Sequence, residues 1–446
     1  MQDFTIIKNI RIITGIDDMA IENGAMIIMN RDRIEEDRIL YCGSAPEDDS
    51  AYLKLLPPGT SENDITVMDL SEGSFTLLPG LINTHVHLDL DLPYLSYKAD
   101  PWGDAYRTLV VYRRAAEALM CGVTALRGVG IVGECELAVR KAFENEMLFG
   151  PRIISCGSPL SPTGGHGWLV PGTIVCDGKD EFIRGVRSQI AQGADQIKLL
   201  YTGGLAGAYE GTYDIQMTAE EIAACLEVAH RNGKKVTAHL SNDRAIREAV
   251  ELGIDCVEHA YSLSEATAER MAKKGVYYSA TLCVSHSNDY MRRLGVPDYT
   301  LKKQEEAAKG HLESCRRAAA AGVKICTGTD LLPSDPIDGT NATVREAELL
   351  VEDAGLSPME AIIAATRNGA ELLGIDDVTG TLESGKSGDF IIVEGKPDEK
   401  IRDLRNLRLV SRGCRLVWSS LPVMDRNNYR ITAPGIELGG GVFKKW

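Results

Sequence analysis

The chain has 446 residues, 44% of them hydrophobic and 25% charged, with a formal net charge of −16. That length supports a sizeable core, and the acidic balance argues against nucleic acid or an anionic membrane surface as a partner. The N-terminal MQDFTIIKNIRIITG has no apolar leader run or small-residue cleavage site, and the eleven cysteines are scattered with no C-x-x-C pair. Together with the absence of a membrane-length apolar stretch, these features predict a cytoplasmic protein with reduced, buried thiols and no thiolate-held zinc.

Up to residue 74 the sequence predicts short strands, TIIKNIRII, GAMIIMN, YCGS and ITVMDL, separated by Gly, Asn and Asp turns. From residue 75 the rhythm changes. Apolar runs ending in polar or glycine residues follow one another: LLPGLINTHVH, GVTALRGVG, RIISCGSPLSP, DQIKLLYTGG, KKVTAHLS, DCVEHAY, VYYSATLCV and VKICTGTD. Amphipathic helical segments such as DAYRTLVVYRRAAEALMC and TAEEIAACLEVAHRNG lie between them. Thr218 and Asp243 stand where N-caps belong, with Glu221 completing a capping box after Thr218. Gly233, Gly253 and Gly275 stand where helices stop. Strand patterns return after residue 383 in GDFIIVEG and NLRLVSRGCRLVW. This order predicts an α/β fold: a (β/α)₈ TIM barrel over residues 75–382, with a small β-sandwich domain built from residues 1–74 and 383–446, the latter ending in a tail. An open doubly wound sheet is the alternative, but no glycine-rich dinucleotide fingerprint opens a first helix.

In a barrel the chemistry sits at the C-terminal strand ends, and the polar residues there form a pattern. His85 and His87, one residue apart at the end of PGLINTHVH, point to the same side of a strand. Lys198 lies in IKLL, His239 in VTAHL, His259 in VEHA, and Asp330 ends ICTGTD. Alone, each has an ordinary explanation: a hydrogen-bonded core histidine, a helix N-cap aspartate, a snorkelling lysine. Jointly, in this order along one barrel, they point to a metal site.

The set HVH, IKLLYTGG, AHL, EHA and GTD resembles the metal-dependent amidohydrolase superfamily, from PGLINTHVHL to the closing GTLESGKSGDFIIVEG. The resemblance implies a (β/α)₈ barrel with an appended β-sandwich. It implies that Lys198 is carboxylated by CO₂ and bridges two divalent ions, one held by His85, His87 and Asp330, the other by His239 and His259. Imidazole and oxygen ligands without thiolate suit Zn²⁺, with Mn²⁺, Fe²⁺, Co²⁺ and Ni²⁺ left open. Asp330 would take a proton from the attacking water and pass it to the leaving nitrogen, giving hydrolysis of an amide-like bond. A homo-oligomer acting on a small-molecule substrate is likewise implied.

Within the superfamily, deaminases usually carry a glutamate three residues after the fifth-strand histidine, where this chain has Asn242. SPTGGHGW is similar to segments of prolidase-like and Xaa-Arg/Lys dipeptidases, a branch related to imidazolonepropionases, in which the histidine, here His166, contacts the reacting carbonyl. A glycine-rich loop whose histidine only bonds backbone is the alternative. Trp168, Tyr201 and Tyr261 are candidate substrate contacts, with packing as their alternative role. Departures from the branch are Trp168 where Asp often stands, Gly128 where the second-strand motif has an acid, and a post-GTD loop, LLPSDPIDGTNAT, without histidine. The leading expectation is a dipeptidase- or carboxypeptidase-like enzyme. Behind it stand a cyclic amidohydrolase opening hydantoin-, lactam- or imidazolone-type rings, then a mononuclear deaminase or a non-catalytic barrel. His230 and His311 are expected on solvated or terminal helix positions, and His286 on the catalytic side without a ligand role.

Overall fold

The computed structural model describes residues 4–30, 37–90, 103–130, 134–168 and 170–421, so the expected C-terminal tail lies outside the described residues. The chain opens with β1 (Phe4–Ile13), β2 (Ala20–Met29), β3 (Arg38–Ser44), β4 (Ile65–Asp69) and β5 (Phe75–Pro79). Next come β6 (Leu81–Val86), β7 (Val123–Gly128), β8 (Arg152–Ser155), β9 (Leu160–Ser161), β10 (Ile174–Val175) and β11 (Ile197–Leu200). They are followed by β12 (Val236–Leu240), β13 (Cys256–His259), β14 (Tyr277–Ser279) and β15 (Ile325–Cys326). A hairpin of β16 (Pro336–Ile337) and β17 (Thr340–Asn341) precedes β18 (Phe390–Glu394), β19 (Leu407–Arg412) and β20 (Arg415–Ser419).

Strands from both ends of the chain join one eight-stranded sheet in the order β20-β19-β18-β5-β1-β2-β3, with β4 also on β1. Alternation along β1 sends Phe4 and Ile6 into one apolar cluster with Ile27 and Met29, and Ile7 into another with Met26, Leu77 and Ile392. Near Asn9, whose φ is 58°, the β1–β2 register shifts, and Ile10 and Ile12 join the face of Ile7. The expected domain boundary at residue 75 moves to Gly80, because Phe75–Pro79 pairs with β18 and β1 of this sheet. In FTLLPGLI the apolar residues continue on both sides of Pro79-Gly80, which makes the change of sheet easy to read through.

The middle of the chain is α/β. Parallel strands β6–β8 form one sheet and the parallel strands β9–β15 another. Backbone bonds bridge their edges: Thr84 N–H donates to Thr327 O at 2.8 Å, and Asp195 N–H to Ser155 O at 2.7 Å. Strands such as β6 and β7 are buried along their whole length, as parallel strands covered on both faces must be. Helices alternate with them, including Gly103–Met120, Lys179–Gln192, Ala219–Arg231 and Asp298–Ala320. Thr218 caps its helix with the expected box to Glu221. The next helix is capped by Asn242, not by Asp243; Asn242 accepts from Ala245 N–H, while the Asp243 carboxylate accepts from Ser264 N–H. No helix among the described residues is long and apolar enough to cross a membrane.

One buried carboxylate ties the two parts together. Asp389, beside β18, accepts from Arg152 of β8 at 3.0 Å and from Gly413 N–H at 2.6 Å. Burial opposes its ionisation, but Arg152, Arg412 and the Gly413 N–H hold it below the ordinary value of 3.8. A depressed carboxylate stabilises the fold above its unfolded pKa and loses that contribution as pH falls through the folded value. Asp389→Asn should therefore cost about 1.5–3 kcal/mol at neutral pH. The gap to the unaltered protein should close as the pH drops below 3.8. Denaturant unfolding across that range checks this; a gap independent of pH would show that the charge is not what holds the two parts together.

Candidate metal centre

Strand ends position every member of the set. His85 is buried at the end of β6, and His87 follows two residues later. Parallel register sets Leu200 beside His239, and Leu240 beside His259, so three neighbouring strands deliver Lys198, His239 and His259. Asp330 follows β15, with its N–H on the His85 carbonyl at 2.9 Å. Its Oδ1 lies 3.2 Å from Nε2 of both His85 and His87. These three residues offer ligand atoms within 4.8 Å of one another. The rings continue the cluster: His85 to His259 is 4.8 Å between centroids, and His259 to His239 is 4.4 Å.

Each histidine has one nitrogen tied down. Nδ1 of His85 contacts Glu258 at 2.7 Å, Nδ1 of His87 the Gly130 carbonyl at 3.0 Å, and Nδ1 of His259 the Thr281 hydroxyl at 2.7 Å. His239 is tied at Nε2, which faces the Gly203 carbonyl at 3.0 Å. A carbonyl only accepts, so His87 and His239 donate there; His239 keeps Nδ1 as a lone-pair donor, while Nε2 of His87 faces Asp330, which raises its pKa against the effect of burial. Burial, then neighbouring cations, hold His239 and His259 well below 6.5 and therefore neutral. Burial opposes the Asp330 anion, yet His85 and its own bonds to His85 and His87 keep it well below the usual carboxylate range.

Lys198 tests whether a metal fits. Its Nζ is buried and has no hydrogen-bond partner among the described residues. Burial lowers its pKa, against the pull of Glu258 and Asp330. A bare ammonium there is costly; a neutral amine, or an amine converted to an anion with oxygen ligands, is not. The donor set of imidazole nitrogen and carboxylate oxygen suits a divalent ion such as zinc.

The centre floors a cleft that opens to solvent. His166 lines it, stacked on His239 at 4.4 Å, with Nδ1 on Glu210 at 2.8 Å and its backbone N–H on Gln216. A Cβ on Gly204 would collide with the His166 ring, so the close approach requires glycine. Tyr261 also lines the cleft, stacked on His259 at 5.5 Å. The other two candidate contacts are corrected. Tyr201 faces away, since Lys198 and Leu200 turn inward and the next residue turns outward; its hydroxyl donates to Glu248 at 2.6 Å. Trp168 is 42% exposed and outside the lining, although Gly167 and Val170 on either side belong to it. His311 is not on a solvated face either. It is fully buried, with Nε2 on Ala280 O at 2.6 Å, Nδ1 on Ser285 at 2.7 Å and its ring against Tyr261. His230 is half-exposed beside Asp255, and His286 is bound to Ser285 and the Leu282 carbonyl, outside the cleft lining.

The model of the amidohydrolase family matches residues 76–414. The chain belongs to that family. The amidohydrolase is 30% identical over 371 residues to the ochratoxinase of Aspergillus niger, covering 77% of this chain and 74% of that one. Against the imidazolonepropionase of Deinococcus deserti it is 26% identical over 360 residues, 75% and 80% of the two chains. Among solved structures, a Xaa-Pro dipeptidase with bound methionine superposes with a TM-score of 0.79 at 26% identity, covering 93% of this chain and all of that one. The A. niger ochratoxinase superposes with 0.80 at 28% identity, covering 96% and 99%. The chain is thus a hydrolase of carbon–nitrogen bonds, of amide type.

Residues that sequence reasoning passed over hold the amidohydrolase centre in place. Glu258 of β13 is fully buried and divides its carboxylate between His85 and Arg127, which donates to it at 2.6 Å; Thr237 adds a further donor. Arg127 is equally buried and also donates to Thr84 O at 2.7 Å and Gln196 at 3.0 Å. Glu210 does for His166 what Glu258 does for His85. The only signals were an acid beside a ligand in VEHA and an arginine inside an apolar strand, ALRGV. Glu258→Ala should lower stability by about 3–5 kcal/mol, because Arg127 is left charged and unpaired in the interior. Adding Arg127→Met to the same chain should recover part of that loss. Urea unfolding of both singles and the double measures it; strictly additive losses would show that the two charges are not one unit.

Proposed function

We propose that this amidohydrolase is a binuclear metal-dependent hydrolase of amide bonds in peptide-like small molecules, closest in kind to a dipeptidase or carboxypeptidase, built on a (β/α)₈ barrel with a β-sandwich appended. The observation that carries it is Lys198 Nζ, buried without a hydrogen-bond partner among the described residues and lining one cleft with four histidines and Asp330. In this reading the neutral amine would add CO₂ with release of one proton, and the carbamate would serve as an anionic ligand to two divalent ions, zinc first among the candidates. His85, His87 and Asp330 would hold one ion, and His239 and His259 the other. Bound there, the ions supply an acidified water and an electrophile for the amide carbonyl.

The chain's own groups do the rest. Asp330, kept anionic between two imidazoles, accepts the proton of the attacking water and delivers it to the leaving nitrogen. His166, whose Nδ1 is spent on Glu210, presents Nε2 to the carbonyl oxygen as charge develops there. Tyr261 and the apolar walls position the substrate and exclude water. The eleven free cysteines, nine of them buried, support a reducing, cytoplasmic setting. Assembly into homo-oligomers is part of the same reading. Opening of a cyclic amide is the second reading, favoured by the likeness to imidazolonepropionase.

Protein loaded with zinc and bicarbonate should hold two equivalents of metal per chain and hydrolyse dipeptides or N-acyl amino acids. Lys198→Ala should lose metal and more than about a hundredfold in turnover, beyond the cost of losing a group that only orients a ligand. Elemental analysis beside a panel setting dipeptides against hydantoins and lactams decides. One equivalent indifferent to Lys198 would end the binuclear reading, and turnover of rings alone would favour the second.

A further inference from the structure

Two buried polar atoms on residues of the cleft wall have no hydrogen-bond partner among the described residues. Helix Asp298–Ala320 turns Thr300 and Gln304, one turn apart, toward the cleft, among the apolar side chains of Leu205, Val284, Met291 and Val296. Thr300 is 5% exposed and Gln304 1%. Gln304 Nε2 donates to the Val284 carbonyl at 2.9 Å. A carbonyl cannot donate, so the amide is fixed in that orientation and Oε1 is left as a bare acceptor. Neither that oxygen nor Thr300 Oγ1 has a partner among the described residues. Buried polar atoms are nearly always paired, and two orphans one turn apart on residues that line a binding cleft mark a place where a ligand's hydrogen bonds would fit. The helix is also pinned to the loop that carries Glu210: Lys303 Nζ donates to Gly207 O and Glu210 O, each at 2.6 Å.

We propose that Thr300 and Gln304 form a specificity subsite for a neutral hydrogen-bonding group, a hydroxyl or a primary carboxamide, carried on an otherwise apolar part of the substrate. Gln304 Oε1 accepts its proton, and the Thr300 hydroxyl donates to its oxygen. A carboxylate is disfavoured at this wall, since it would meet the lone pairs of Oε1, and Lys198 is the single lysine or arginine among the described lining residues. The catalytic readout below rests on the amide-hydrolase reading; the binding readout does not.

The test uses the zinc-loaded full chain and the probes benzanilide, its 3- and 4-hydroxy derivatives on either ring, and the matching carboxylates. One hydroxylated member should exceed benzanilide about five- to tenfold in kcat/KM, mainly through KM, as one buried hydrogen bond supplies. Its carboxylate counterpart should fall below benzanilide. In Thr300→Val and Gln304→Met the hydroxyl advantage should collapse to about one, with metal content unchanged. Thr300→Val removes an unsatisfied hydroxyl, so its Tm should not fall, which guards against a folding artefact if Gln304→Met is unstable. Benzanilide turnover without any hydroxyl preference, or a preference that survives in both variants, overturns the subsite and leaves the hydrolase reading standing. Should none of the amides be cleaved, calorimetric Kd values decide: a hydroxyl preference lost in the variants supports the subsite, and no preference or no binding overturns it, while the dipeptide panel judges the hydrolase reading separately.

Discussion

A buried carboxylate shared between a histidine of the candidate centre and an arginine is the constraint on which the centre depends. Glu258 has no access to solvent, and neither has Arg127. Burial pushes both toward neutrality, yet each keeps the other charged: Arg127 and His85 hold Glu258 well below the carboxylate range, and Glu258 raises Arg127. The arginine's remaining donors reach the Thr84 carbonyl and Gln196, so β6, β7, β11 and β13 are all tied to one ion pair. A pair this deep is a poor source of net stability, because desolvation offsets the attraction. What it provides is direction. It fixes the tautomer and angle of His85, and through the His85 carbonyl, which accepts from Asp330 N–H, the position of the aspartate as well.

The same region stores backbone strain. His259, Ala260, Thr281 and Asp330 all have positive φ, at 68°, 51°, 57° and 52°, and none is glycine. Each follows or ends one of three successive strands, β13, β14 and β15. Such conformations cost on the order of 1–3 kcal/mol per residue and persist where the surroundings over-determine them. Here the surroundings are the hydrogen bonds already described, Thr281 to His259 and Asp330 to His85. The turn out of the strand is what aims each side chain across the strand ends instead of along them.

Much of this was readable in the residues, and the misses share physical reasons. The i, i+2 spacing of His85 and His87 and the lysine inside IKLL pointed, without coordinates, to residues that the structure brings together in one cleft. Strand parity would also have excluded Tyr201, because Lys198 and Leu200 fix the inward face. His311 was misjudged because a histidine on a polar-looking helix reads as solvated, whereas Thr300, Gln304 and His311 lie on the buried side of Asp298–Ala320. The change of sheet at Pro79-Gly80 carries a turn dipeptide, but the apolar residues on both sides of it read as one continuous run. Asn242, read only as a missing glutamate, is a helix cap, and local capping displaced the expected Asp243 by one position. Glu258 and Glu210 were out of reach because their roles depend on contacts 173 and 44 residues away in the chain.

Gly128 shows how such a departure is accommodated. The family resemblance sets an acid at this second-strand position, where this chain has glycine. The structure returns one from elsewhere. A Cβ at Gly128 would collide with the carboxylate of Glu136, which enters from helix Cys135–Glu144 and is completely buried. The glycine is therefore the space that admits the glutamate. Burial pushes Glu136 up to about 7, with Asp89 adding to the rise and His87 opposing it. An acid on the strand itself would have a short, stiff tether to β7. Delivered from the helix, the carboxyl depends on how that helix packs, and so the electrostatics beside His87 are tied to the helical layer as well as to the strands.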